Sequence, residues 1–103
     1  MAQGALIVGF VSTTDNTLFQ QTLQEGDLFV FPRGLSHFQL NPDAHKPALA
    51  ISALNSQNPG VSQLAPALFA AQPPLPKEVL QIALGLNDQR EIDRIIAGVA
   101  TTV

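Results

Sequence analysis

Apolar positions in the first half of the chain come in short runs, each cut off by turn-forming residues. Ala5-Leu-Ile-Val-Gly-Phe-Val11 is rich in β-branched residues and runs into Ser12-Thr-Thr-Asp-Asn-Thr17, which predicts a strand followed by a turn. Thr14, Asp15 and Asn16 suit that turn because short polar side chains bond local backbone and tolerate unusual φ. Leu18 to Leu23 alternates, with Phe19 and Leu23 on one face and Gln20 and Thr22 on the other, so one face is buried and one wet. After the turn Glu25-Gly-Asp27, Leu28-Phe-Val-Phe31 is apolar on both faces, as in a wall covered on each side. Pro32-Arg-Gly34 reverses the chain. Ser36 to Asn41 then returns with His37 and Gln39 facing one way and Phe38 and Leu40 the other. A polar loop, Pro42 to Pro47, leads to another apolar strand over Ala48 to Leu54, and Asn55-Ser-Gln-Asn-Pro-Gly60 is again a loop.

Beyond Gly60 the periodicity changes. Val61 to Leu64 reads as a last short strand, and Ala65 to Ala71 as a short helix closed by Gln72-Pro-Pro-Leu-Pro76. Pro76 suits a first helical position, Lys77 to Leu84 follows with Val79, Leu80, Ala83 and Leu84 on one face, and Gly85 ends the helix. Asp88 and Glu91 have the spacing of an N-cap and its N3 partner, ahead of a stripe formed by Ile92, Ile95, Ile96 and Val99. Strands followed by helices predict a mainly β protein, with a partial barrel over residues 1–65 and a helical extension over 66–103 carrying a C-terminal pair of helices. No strand–helix alternation supports a doubly wound sheet.

Composition narrows the function classes. At 103 residues there is room for one small core, and 46 % apolar against 13 % charged residues is a folding balance, too apolar for a disordered chain. The net charge is −3, and Arg33, Lys46, Lys77, Arg90 and Arg94 are scattered, so no basic stripe exists for a nucleic acid. No apolar run is long enough for a membrane helix, and no Lys or Arg precedes the run at Ala5, so neither a membrane partner nor a signal segment is expected. Without cysteine there is no disulfide framework or thiol chemistry. No nucleophile elbow or phosphate-cradling glycine loop occurs, so no catalytic or cofactor-binding set is assigned.

The segment from Gly26 to Asn41 carries the chemistry. Its spacing is Gly26, five residues, Pro32, one residue, Gly34, two residues, His37, three residues, Asn41. Physically this is a strand, a tight reversal and a second strand, with one imidazole near the start of the second. A lone strand histidine is ordinarily bonded to a neighbouring carbonyl, and Asn41 reads as a strand-end residue bonding its own backbone.

This spacing resembles the second of the two cupin motifs in the form found in germin-like proteins. The flanks Val8-Gly-Phe-Val11, Phe29-Val-Phe-Pro32 and Ser56-Gln-Asn-Pro-Gly60 are similar to that family as well, as are the Pro-rich segment and helices. The resemblance implies the carboxy-terminal portion of such a protein, containing the second motif and lacking the first, with a partial jelly-roll barrel of antiparallel strands. It implies a family manganese site of three histidines and one glutamate, in which His37 is the sole matching metal ligand and Gly4 closes the first motif. The other ligands would lie upstream, and His45 matches none of them.

The implied family role is manganese ion binding with superoxide dismutase or oxalate oxidase type activity in the apoplast, absent from a chain holding one ligand. The alternative is a non-catalytic oligomerisation or storage-type cupin module. The resemblance further implies a homo-oligomer through barrel edges and C-terminal helices. The stripe Ile92 to Val99 serves either the chain's own barrel or a neighbouring subunit.

Overall fold

A computed structural model describes residues 1–100, so the last three positions of the expected 66–103 extension lie outside the described residues. The chain divides into two units, Met1–Asn55 and Ser56–Val103.

The first unit is built on β1 (Leu6–Val11), β2 (Leu18–Leu23) and β3 (His37–Leu40). They form an antiparallel sheet in the order β2-β1-β3. Period-two alternation sets the register. Leu6 stands opposite Leu23, Val8 opposite Gln21 and Gln39, and Phe10 opposite Phe19 and His37. Residues directly opposite one another share a face. The face bearing Leu6, Val8 and Leu23 is the buried one, and Met1, Phe29, Phe31 and Ala48 pack against it.

On the other face Gly9 lies beneath the ring of Phe38. A Cβ there would meet that ring at 2.8 Å and the Phe19 carbonyl oxygen at 2.9 Å, so only hydrogen fits. The β1–β2 turn follows its polar chemistry. Asn16 takes φ 52°, the Ser12 hydroxyl donates to the Asp15 carboxylate, and Ser12 N donates to the Thr17 carbonyl at 2.9 Å. Hydrogen bonds to its carboxylate, that of the Ser12 hydroxyl foremost and then those from Thr17, lower the Asp15 pKa below the ordinary value.

Two expected strands form no ladder. Leu28-Phe-Val-Phe31 places Phe29 and Phe31 inward while Leu28 and Val30 stay 85 % and 73 % exposed, and no strand pairs with it. Ala48 to Leu54 makes a single bridge, Gln3 to Leu49. Propensity sets extended backbone locally, whereas a ladder needs a partner strand, and none of the described strands lies alongside.

The second unit holds α1 (Leu64–Phe69), α2 (Lys77–Leu84) and α3 (Gln89–Ala100). The expected strand at Val61 to Leu64 is instead irregular backbone ending in the first residue of α1, because Gln63 already accepts from Ala67 N as a helix opening. Pro76 sits one position ahead of α2, and Gly85 closes it with φ 66° while Leu86 N reaches back to the Gln81 carbonyl. Asp88 caps α3 by accepting from Arg90 N at 2.9 Å. The α3 stripe faces α1 and α2. Ile92 is fully buried, and Ile95, Ile96 and Val99 are partly so. That helix packs on the other helices of its own unit.

Candidate functional site

Gly26 and Gly34 both adopt positive φ, 86° and 78°, at the two turns that frame the motif. In the second, Leu35 N donates to the Pro32 carbonyl at 3.4 Å, and Val11 N then clamps the Ser36 carbonyl at 2.9 Å. His37 thus begins β3 opposite Phe10, on the face that carries Val8.

The ring is oriented by two contacts. His37 Nδ1 lies 3.1 Å from the Leu35 carbonyl oxygen, and a carbonyl oxygen only accepts, so Nδ1 carries the proton. Nε2 is then the atom with a lone pair, the form of imidazole that ligates a cation. The ring of Phe31 lies 4.7 Å away, tilted by 39°. Behind it runs a file of aromatic rings: Phe31 to Phe29 at 4.9 Å, Phe29 to Phe10 at 5.9 Å, and Phe10 to Phe19 at 5.2 Å. This file was not read from the sequence. Its signal is present in the alternation of Phe29 and Phe31, but its membership depends on β1 and β2 lying side by side. His37 itself remains exposed to solvent.

The other motif positions are structural. Asn41 Nδ2 donates to the Lys46 carbonyl at 2.8 Å and its Oδ1 accepts from Asp43 N at 3.0 Å, which ties down the following loop. His45 lies exposed in that loop, with its backbone N–H on the Asp43 carboxylate. Asp27 accepts from Gln24 N across the opening turn. Among the described residues, no group of three or more His, Asp or Glu side chains is placed to hold a metal ion. No helix among them is long and apolar enough to cross a membrane.

Comparison with known proteins bears on this arrangement. The cupin family profile matches residues 1–92. The chain is 51 % identical over 96 residues to Germin-like protein 8-2 of Oryza sativa subsp. japonica, covering 92 % of this chain and 43 % of that protein. It is 58 % identical over 79 residues to Germin-like protein 8-9 of the same rice, covering 76 % of this chain and 35 % of the relative. A solved structure of recombinant oxalate oxidase in complex with glycolate superposes with a TM-score of 0.81 at 31 % identity, over 98 % of this chain and 50 % of that one. The chain thus spans at most half the length of these proteins.

Proposed function

The chain belongs to the cupin family, with germin-like proteins among its relatives, and on that basis we propose that it supplies the second-motif half of a germin-type manganese site. His37 is its one metal ligand, through Nε2. The observation that carries the reading is the Leu35 carbonyl on Nδ1, which commits the proton to the far side of the ring and leaves the ligating atom open.

The donors on this chain do not fit the ion by themselves. Manganese takes roughly six oxygen and nitrogen ligands, and a single exposed imidazole does not hold it against water. The remaining donors must come from polypeptide outside these 103 residues. The family role, superoxide dismutase or oxalate oxidase type activity in the apoplast, belongs on this reading to the completed site, and the 103 residues alone are inactive. The partial barrel over 1–65 carries the ligand and the helical extension over 66–103 carries none.

The test is metal analysis of the purified chain, alone and together with a polypeptide bearing a first cupin motif. Alone, it should carry far less than one manganese per chain. Together, the pair should bind manganese and lose it on His37→Ala. Retention of the metal by that variant sinks the proposal.

A second reading, a non-catalytic oligomerisation or storage-type module, is favoured by α2. Its Ile82 and Val79 are 83 % and 49 % exposed, an apolar stretch suited to a neighbouring copy. Self-association abolished by Ile82→Asp, with manganese absent under every condition, would select this second reading.

A further inference from the structure

Five asparagines lie along the chain, Asn16, Asn41, Asn55, Asn58 and Asn87. An asparagine side chain is open to attack by the backbone nitrogen of the next residue, so its fate depends on that nitrogen. Asn41 and Asn58 precede prolines, whose nitrogen carries no hydrogen and cannot attack. Asn16 precedes Thr17, whose branched side chain crowds the approach. The Thr17 N–H is also engaged, with Ser12 Oγ at 3.4 Å and Asp15 Oδ1 at 3.3 Å. Asn87 precedes Asp88, which is held at its carboxylate by Arg90 N and at its carbonyl by Glu91 N. On the other side Leu86 N is bonded to the Gln81 carbonyl. The peptide between Asn87 and Asp88 is therefore fixed, and the Asp88 charge opposes an amide anion beside it.

Asn55 differs on every count. It is exposed, it precedes the small Ser56, and neither its side chain nor Ser56 N bonds to another described residue. Among the described residues, the one hydrogen bond within 50–62 is Asn58 N donating to Ser56 Oγ at 3.2 Å. The bond between Asn55 and Ser56 is also the boundary of the two units, Met1–Asn55 and Ser56–Val103.

We propose that Asn55 is the chain's site of spontaneous deamidation, a modification that marks the junction of its two units. Ser56 N gives its proton to solvent base and attacks Asn55 Cγ, closing a cyclic imide and expelling the side-chain nitrogen as ammonia. Water then opens the ring at either carbonyl. One opening leaves aspartate, and the other leaves isoaspartate, with Cβ drawn into the main chain. Nothing is oxidised or reduced, and both products add one negative charge to a net charge of −3. The buried side chains are Leu6, Val8 and Leu23 in the first unit and Leu80 and Ile92 in the second. None belongs to the 50–62 segment, so the product accumulates without unfolding either unit.

The experiment ages the purified 103-residue chain in mildly alkaline buffer, with peptide mapping by mass spectrometry and an assay for released ammonia. Asn55 should react first, at least about tenfold faster than Asn16 or Asn87, with isoaspartate among its products and helicity unchanged. In denaturant the bonds around Thr17 and Asp88 are lost, so that lead should shrink while the Asn55 rate itself hardly moves. Ser56→Pro removes the attacking N–H and should abolish reaction at Asn55, whereas Ser56→Gly should hasten it. The proposal is overturned if Asn16 or Asn87 reacts first in the folded chain, or if Ser56→Pro reacts at the parent rate. It is overturned equally if Asn55 survives in the folded chain and reacts only in denaturant.

Discussion

Gly9 sits where two neighbours come closer than a methyl group allows, one of them the backbone oxygen of Phe19, which cannot swing aside. Gly9→Ala should therefore destabilise the first unit by about 1–3 kcal/mol, read as a lower denaturant midpoint, with resonances of the Phe38 ring displaced. An unchanged midpoint would mean that the β1–β2 pairing yields easily. Asp15 gives a prediction in pH. Its pKa is lower in the folded chain than in the unfolded one, so its contribution is full at neutral pH and disappears as pH falls through the folded value. Stability should drop as pH falls through the ordinary aspartate value of 3.8 and below it, more steeply in the parent than in Asp15→Asn. Circular dichroism melts across that range provide the check, and identical profiles would show that the turn hydrogen bonds are not retained in solution. The tautomer of His37 is testable as well. Ring nitrogen NMR should find the proton on Nδ1, and the Nε2 tautomer would contradict the bond to Leu35.

At the scale of elements, α3 depends on Ile92, the side chain with no exposed surface between α1 and α2. Ile92→Ala should cost about 2–4 kcal/mol and reduce helicity of the second unit, followed by circular dichroism. The Lys77–Asp93 ion pair, 2.6 Å long with both side chains about half exposed, should by contrast contribute less than about 1 kcal/mol, so Asp93→Asn is expected to be nearly silent. The strands at Leu6–Val11, Leu18–Leu23 and His37–Leu40 were legible because alternation and turn residues act over a few neighbours. Leu28 to Phe31 was legible as apolar on both faces but not as an unpaired segment. Its apolar outer face announces a cover, and local sequence does not say whether the cover is present. The α3 stripe was legible as buried, yet which helices bury it is a tertiary fact.

For the whole molecule, the spacing from Gly26 to Asn41 located His37 and the family match over residues 1–92 placed the fold. What spacing did not contain was the choice of ring nitrogen, because that depends on where the Leu35 carbonyl points once the Pro32–Gly34 reversal has formed. Nor did it contain the aromatic file, which draws on residues from β1, β2 and the segment after Gly26.

That file has a practical consequence. The polypeptide has neither tryptophan nor tyrosine, so its rings are dark at the wavelengths used to follow most proteins. Any indole emission that shifts when a tryptophan-bearing polypeptide with a first cupin motif is mixed in belongs wholly to that visitor. The chain is in effect an optically silent host, and a fluorimeter can watch its guest arrive without a label on either.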